Sequence, residues 1–300
     1  MLRGLALVVS WLVWLLLVDI FVSALLPLSL AAPNLCYDWA SAAAESVWAW
    51  IQLIFTKANG ATITVSGDTL PVGESAIVVA NHVAWSDFYM IQAIALRARM
   101  LGRCRYFAKT QLKWVPFLGW GLWALGMPLV SRNWDRDRRE LDRVFQGITS
   151  PQCRWPTWLI SFSEGTRYSP QKYDEAVAWC RSAQKKEPSS AFVLHPRTKG
   201  FVTTVQHLRQ APQVHSVYDL TIAYQQGNTF HAAPTMLDTL TVPNLSSPGR
   251  NGKGYKFHVH VRRFPLEELP TTDDGLSRWL EDRWQEKGLW LAEKKKEWAL

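Results

Sequence analysis

Asn81-His82-Val83-Ala84-Trp85-Ser86-Asp87 sets an imidazole five residues ahead of a carboxylate. In one regular helix that spacing would put the two side chains on different faces. A strand-to-helix turn, by contrast, can fold the carboxylate back onto the ring. An aspartate that accepts from one ring nitrogen fixes the tautomer and leaves the other nitrogen as a general base. Alone, the pair reads as a helix cap with an incidental histidine.

Three further segments reverse that reading. Gly126-Met127-Pro128-Leu129-Val130-Ser131-Arg132 ends a hydrophobic stretch in an arginine. Phe162-Ser163-Glu164-Gly165-Thr166-Arg167 follows an apolar run, and Leu194-His195-Pro196-Arg197-Thr198-Lys199-Gly200-Phe201 follows another. Each sets a basic residue where a strand is expected to end, so the bases can converge with His82 on one rim. Arginine grips phosphate with a planar fork and lysine acts as a point charge.

The elements that must hold these residues read as one α/β domain. Strands are expected at 62–66, 76–80, 157–162, 191–194, 217–224 and 255–262. Helices are expected at 87–100, 134–148, 174–182 and 273–298, with Asp87 capping the first of them. The run Ala76–Ala80 is apolar enough to be buried on both faces. Strands alternating with helices predict a mostly parallel central sheet flanked by helices. Active sites of such sheets lie at the carboxyl ends of the strands.

Ahead of this domain stands an apolar region. Leu5–Val18 carries no charge, and after Asp19 the apolar character resumes. Leu5 to about Leu26 is long enough to span a bilayer; a signal peptide cut near Ser29-Leu30-Ala31 is the rival. Residues 39–55, charged only at Glu45, read as a second span or an interfacial helix. Asp19 and Glu45 argue for close packing of the two, because unpaired charge in lipid is costly. The expected organisation is an N-terminal hydrophobic helical hairpin over residues 1–57, a catalytic domain over 58–265 and a charged helical tail over 266–300. A hairpin returns the chain to its starting side, which with Arg3 and Lys57 puts the domain in the cytosol.

Net charge is +8 with a pI of 9.4, which favours anionic partners. Between Arg97 and Arg143 stand eleven Lys/Arg and four Asp/Glu, a local excess of +7. No nucleic-acid motif is legible, so lipid or nucleotide phosphates are the expected anions. The 17 tryptophans suit either a core or a membrane interface. Four distant cysteines demand no disulfide and suit a reducing compartment. The sequon Asn244-Leu245-Ser246 would be unused in the cytosol.

In order and spacing these blocks resemble the glycerolipid acyltransferase family, which acylates lysophosphatidic acid and related lysophospholipids. The family's N-H-x-x-x-x-D block matches Asn81–Asp87, and its Gly-to-Arg block matches Gly126–Arg132. Its usual F-P-E-G-T-R stands here with Ser163 in place of proline. Residues 194–201 look like the eukaryotic version of the fourth block, and Ala108–Pro116 fits the segment between the first two. The resemblance covers about residues 60–265.

It implies that His82, oriented by Asp87, deprotonates the lysolipid hydroxyl, which then attacks an acyl-CoA thioester. It assigns Arg132, Glu164, Gly165, Thr166, Arg167, Pro196, Arg197 and Lys199 to the acceptor, with Gly165-loop amides as candidate oxyanion donors. Lys109 and the Arg136/Arg138/Arg139 cluster are candidates for CoA phosphates. No metal or bound cofactor is required: acyl-CoA is a co-substrate, membrane lipids are the surroundings, and no protein partner is implied. The expected product is phosphatidic acid, at a membrane such as the endoplasmic reticulum. Lysophosphatidylinositol or a lysocardiolipin is the alternative acceptor. Two readings from other classes stand beside it: a serine esterase using Ser163, and a non-catalytic lipid-binding protein.

Overall fold

In the computed structural model of this chain, residues 2–115, 119–131, 134–150, 155–247 and 254–299 are described. The N-terminal third runs α1 (Leu2–Ala24), α2 (Pro33–Leu53), β1 (Ile63–Gly67), β2 (Ser75–Ala80), α3 (Asp87–Arg97), β3 (Cys104–Tyr106) and β4 (Ala108–Lys109). The middle holds α4 (Gly119–Ala124), β5 (Leu129–Val130), α5 (Trp134–Thr149), β6 (Trp158–Phe162), α6 (Pro170–Ser182) and α7 (Thr198–Leu208). Then come β7 (Val214–Gln226), β8 (Thr229–Phe230), α8 (Met236–Thr241), β9 (Tyr255–Pro265) and α9 (Asp273–Ala299).

Among the described residues one sheet has the order β1-β9-β7-β2-β6-β3, with β8 paired to β7. β7, β2, β6 and β3 are mutually parallel, β1 is parallel to β9, and β9 runs antiparallel to β7. The expected mostly parallel α/β sheet is therefore present. Strand alternation divides its core in two. Val78, Ala80, Ile160 and Ile222 face a layer built by α1, α2 and α3. Ile77, Val79, Leu159 and Val217 face α5, α7 and α9.

The two N-terminal helices form the expected hairpin. Pro33 opens α2 at its first turn, where a missing N–H costs nothing. The indole N–H of Trp14 donates to Ser46 Oγ at 2.9 Å and that of Trp11 to Val47 O at 3.3 Å. Among the described residues, Arg3–Ala24 is the one helix long and apolar enough to cross a membrane. The helix is nonetheless held along its length by the domain. Arg3 donates to Ala58 O, Gly4 packs on Thr241 of α8, and Trp120 of α4 donates to Ser23. Trp158 and Trp284 are core, while Trp39, Trp114 and Trp120 are exposed.

Two expectations fail for legible reasons. Residues 191–194 pair with no strand. Val193 and Leu194 are buried, but the backbone there serves the neighbouring loop: Ala191 O accepts from the Tyr168 hydroxyl at 2.7 Å. Their apolar run leads into α7, for which no helix was expected. The helix after Asp87 stops at Arg97 rather than residue 100. Met100 N–H bonds Ala95 O and Arg99 N–H bonds Leu96 O, with Arg99 at φ +55°. That is a left-handed helix stop made without the glycine that would have announced it.

Candidate active site

β2 is buried at all six positions and ends where the chain must turn into α3. Asn81 extends the sheet by one side chain: its amide donates to Ile222 O at 3.0 Å and accepts from Ile222 N–H at 2.8 Å. His82 follows at the carboxyl end of β2. Its Nδ1–H donates to Asp87 Oδ2 at 2.7 Å. Asp87 does not cap α3 as expected. As the first residue of that helix it turns its carboxylate backward. Oδ2 also accepts from the N–H groups of Val83 (2.6 Å) and Ala84 (3.0 Å). Oδ1 accepts from the Tyr224 hydroxyl at 2.6 Å. The carboxylate is fully buried, while 14% of the His82 side chain is exposed. The ring lies 4.0 Å from Phe162, nearly parallel at 15°. Its Nε2 has no partner among the described residues, which leaves it available to a substrate proton.

The loop after β6 is bound to this turn. Tyr168 N–H donates to His82 O at 2.7 Å, and His82 N–H donates to Glu164 Oε2 at 3.3 Å. Glu164 Oε1 accepts from the Trp284 indole at 3.1 Å. Burial pushes the Glu164 carboxyl up to about 8, against the pull of the donors from Trp284, His82 and Leu194. Gly165 sits at φ +70°, a left-handed conformation that favours glycine, and a Cβ there would also press on the Arg197 side chain. Gly165 N–H donates to Phe162 O at 2.9 Å, which closes the turn. That commitment counts against Gly165 N–H as an oxyanion donor.

The expected basic rim is partly assembled. Arg197 N–H donates to Ser163 O at 2.7 Å, which seats the 194–197 segment on the 163–168 loop with Pro196 buried. Arg167, Arg197 and Lys199 are exposed, and Thr166 is half-buried. Lys109 is exposed two residues beyond Phe107, whose N–H bonds Ile160 O near the end of β6. Arg167, Arg197 and Lys109 make no ion pair with any described residue. Arg132 lies outside the described residues, as does the side chain of Arg136. Gly126, at φ +74°, makes the turn before β5. Ser131 is pinned by its N–H and hydroxyl to Asp137 Oδ1 (2.6 and 2.8 Å). No group of three or more metal-ligating side chains is gathered among the described residues.

Sequence reasoning missed Tyr224 and Trp284, which lie 137 and 120 residues from their partners. Neither carries a local signal. His231 adjoins the loop after β6. Its ring sits edge-on to Tyr168 with both nitrogens buried and unpartnered, and burial lowers it to about 4. Ser163 Oγ lies 3.4 Å from Ser161 Oγ and bonds no histidine among the described residues. The esterase arrangement is therefore not assembled.

With this geometry in place, comparison with known proteins is decisive. The family model described as acyltransferase matches residues 62–225, and that described as acyltransferase C-terminus matches 251–293. The chain belongs to the acyltransferase family. It is 34% identical to the human 1-acyl-sn-glycerol-3-phosphate acyltransferase delta over 220 residues, 73% of this chain and 53% of that protein. It is 28% identical to the chicken lysocardiolipin acyltransferase 1 over 87% of this chain and 65% of that protein. It thus spans about half to two thirds of these relatives' length. Within the family the chain groups with the glycerolipid acyltransferases. A crystal structure of the 1-acyl-sn-glycerophosphate acyltransferase of Thermotoga maritima aligns over 93% of this chain and 95% of that one, with a TM-score of 0.47 at 15% identity.

Proposed function

We propose that this acyltransferase moves a fatty acyl group from acyl-CoA to the free hydroxyl of 1-acylglycerol-3-phosphate, giving phosphatidic acid. The observation that carries the reading is the His82–Asp87 pair at 2.7 Å, with His82 Nε2 unpartnered among the described residues. Nε2 takes the proton of the lysolipid hydroxyl as its oxygen attacks the thioester carbonyl. The new C–O bond forms, the tetrahedral centre collapses, the C–S bond breaks, and CoA leaves as thiolate, which recovers the proton from the imidazolium. Buried Asp87 stabilises that imidazolium. Arg132, Arg167, Arg197 and Lys199 hold the acceptor phosphate, with Glu164, Gly165, Thr166 and Pro196 shaping the loops that present them. Lys109 and Arg136 are assigned to CoA phosphates.

A lysocardiolipin or another lysophospholipid is the second acceptor, favoured by the long match to the lysocardiolipin enzyme. The enzyme works at a membrane, in our reading that of the endoplasmic reticulum with the catalytic domain on the cytosolic side. Support comes from the exposed apolar side chains Leu5, Val9, Leu12 and Val13 of α1 and from exposed Trp114 and Trp120. The test is thiol release from acyl-CoA by purified enzyme with a panel of lysophospholipids, with the products identified. Release with lysophosphatidic acid and formation of phosphatidic acid are expected. Release only with another lysolipid changes the acceptor, and free fatty acid formed without acceptor would overturn transfer in favour of hydrolysis.

A further inference from the structure

α9 begins far from the histidine turn in sequence, yet it reaches the centre of the site. Trp284 is among the largest fully packed side chains, at 2% exposure, and its indole N–H points at Glu164 Oε1, 3.1 Å away. The other oxygen of the same carboxyl accepts the backbone N–H of His82. One carboxyl therefore couples a side chain of α9 to the backbone of the residue read as the base. One turn on, Lys287 is buried at 2%, paired with Asp219 and donating to Leu220 O at 2.7 Å. Leu220 lies in β7 directly beside Ala80, the last residue of β2 before the histidine turn. Consecutive turns of α9 thus fix it to the sheet at the level of the strand ends and to the loop that follows β6. Burying a lysine and a glutamate is costly, and neither is needed to cover an apolar sheet face. Aliphatic side chains would serve that purpose, as Leu276, Leu280 and Leu291 do on the same helix.

We infer that Trp284 is a positioning residue of the active centre, acting through Glu164 to seat the His82 backbone and the 163–168 loop. α9 is in consequence part of the catalytic apparatus rather than a tail. The inference rests on the reading of His82 as the base. An indole N–H fixes one carboxyl oxygen, which leaves the other directed at His82 N–H. Without it the carboxyl is held only by His82 and the Leu194 backbone and can shift, which loosens one of the two backbone bonds that tie the histidine to the loop. Misplacement of a reacting group by a fraction of an ångström is enough to slow the chemical step.

The experiment measures kcat and KM for wild type and for Trp284→Phe, Glu164→Gln, the double variant, Trp279→Phe and His82→Ala, with thermal unfolding of each. Trp279, on the same helix as Trp284, stacks on Phe201 of α7, away from the histidine turn, so its variant reports general loosening of α9. The expected result is a folded Trp284→Phe with kcat reduced about tenfold, acyl-CoA KM unchanged, and Trp279→Phe near wild type. Trp284→Phe should add little to Glu164→Gln, because both act on one contact. Wild-type kcat in Trp284→Phe, or losses that multiply in the double variant, would overturn the inference. If Trp284→Phe does not fold, 3-benzothienylalanine at position 284 keeps the bicyclic ring without the N–H and is read in the same way. Full activity in His82→Ala would instead defeat the reading of the base, an outcome distinct from the others.

Discussion

The histidine turn and the loop after β6 meet at one site but are built in different ways. Between residues 82 and 87 the turn closes on itself. Among the described residues, three of the four hydrogen bonds accepted by the Asp87 carboxylate come from His82, Val83 and Ala84, within five residues of chain. Only the Tyr224 hydroxyl arrives from afar. The 162–168 loop closes on itself through Gly165 N–H to Phe162 O but is otherwise tied to distant chain: His82 and Tyr168 link it to the turn, Arg197 to the segment before α7, and Trp284 to α9. The pair proposed to move a proton is therefore held mainly by local chain, whereas the loop proposed to receive the acceptor is assembled by the whole fold. Specificity can then be altered through remote substitutions that leave the His82–Asp87 pair intact.

The contrast can be broken at several points. Asp87→Asn removes the negative charge facing the imidazolium while keeping the turn's shape, and should cut kcat by about a hundredfold, measured as thiol release at saturating substrates. A loss much below tenfold would mean the carboxylate is a structural cap. Tyr224→Phe probes the one remote donor to the Asp87 carboxylate among the described residues. It leaves a buried carboxylate oxygen without its donor, at about 1–3 kcal/mol of stability by denaturant unfolding, with a loss of kcat smaller than that of Asp87→Asn. If it matched Asp87→Asn, the turn would be as dependent on the fold as the loop is.

Glu164 gives the smallest and most specific effect. Its carboxyl is raised to about 8 by burial from the usual 4.5. The native state therefore keeps a proton that the unfolded chain releases near 4.5. Stability from this group is present at low pH and falls as pH rises towards 8. Glu164→Gln removes the titration, so its melting temperature should gain on wild type between pH 5 and pH 9. Parallel pH curves would show that the site is more polar than its burial implies.

What was legible follows the same division. The buried run 76–80, the turn at 81–87 and the charged helix of α9 carry local signals: unbroken apolar character, a His–Asp spacing, and a polar helical pattern. Residues 191–194 have the same apolar character as a strand, but they pack without a ladder, because burial and pairing look alike in a short run. The helix stop at Arg99 lacks its glycine. The contacts of Trp284 and Tyr224 join residues more than a hundred positions apart, which one sequence does not encode in any pattern. Even the family's blocks, recognised by spacing, gave no sign that the carboxyl of Glu164 is shared between His82 and α9.

The central claim is that His82 accepts the acceptor's proton. Its most direct test compares acyl transfer to lysophosphatidic acid by wild type and by a folded His82→Ala, with melting curves to verify the fold. Loss of at least about a hundredfold in kcat with an unchanged melting profile is the predicted result. Transfer at the wild-type rate by a folded His82→Ala would contradict the account and remove the histidine turn from the chemistry.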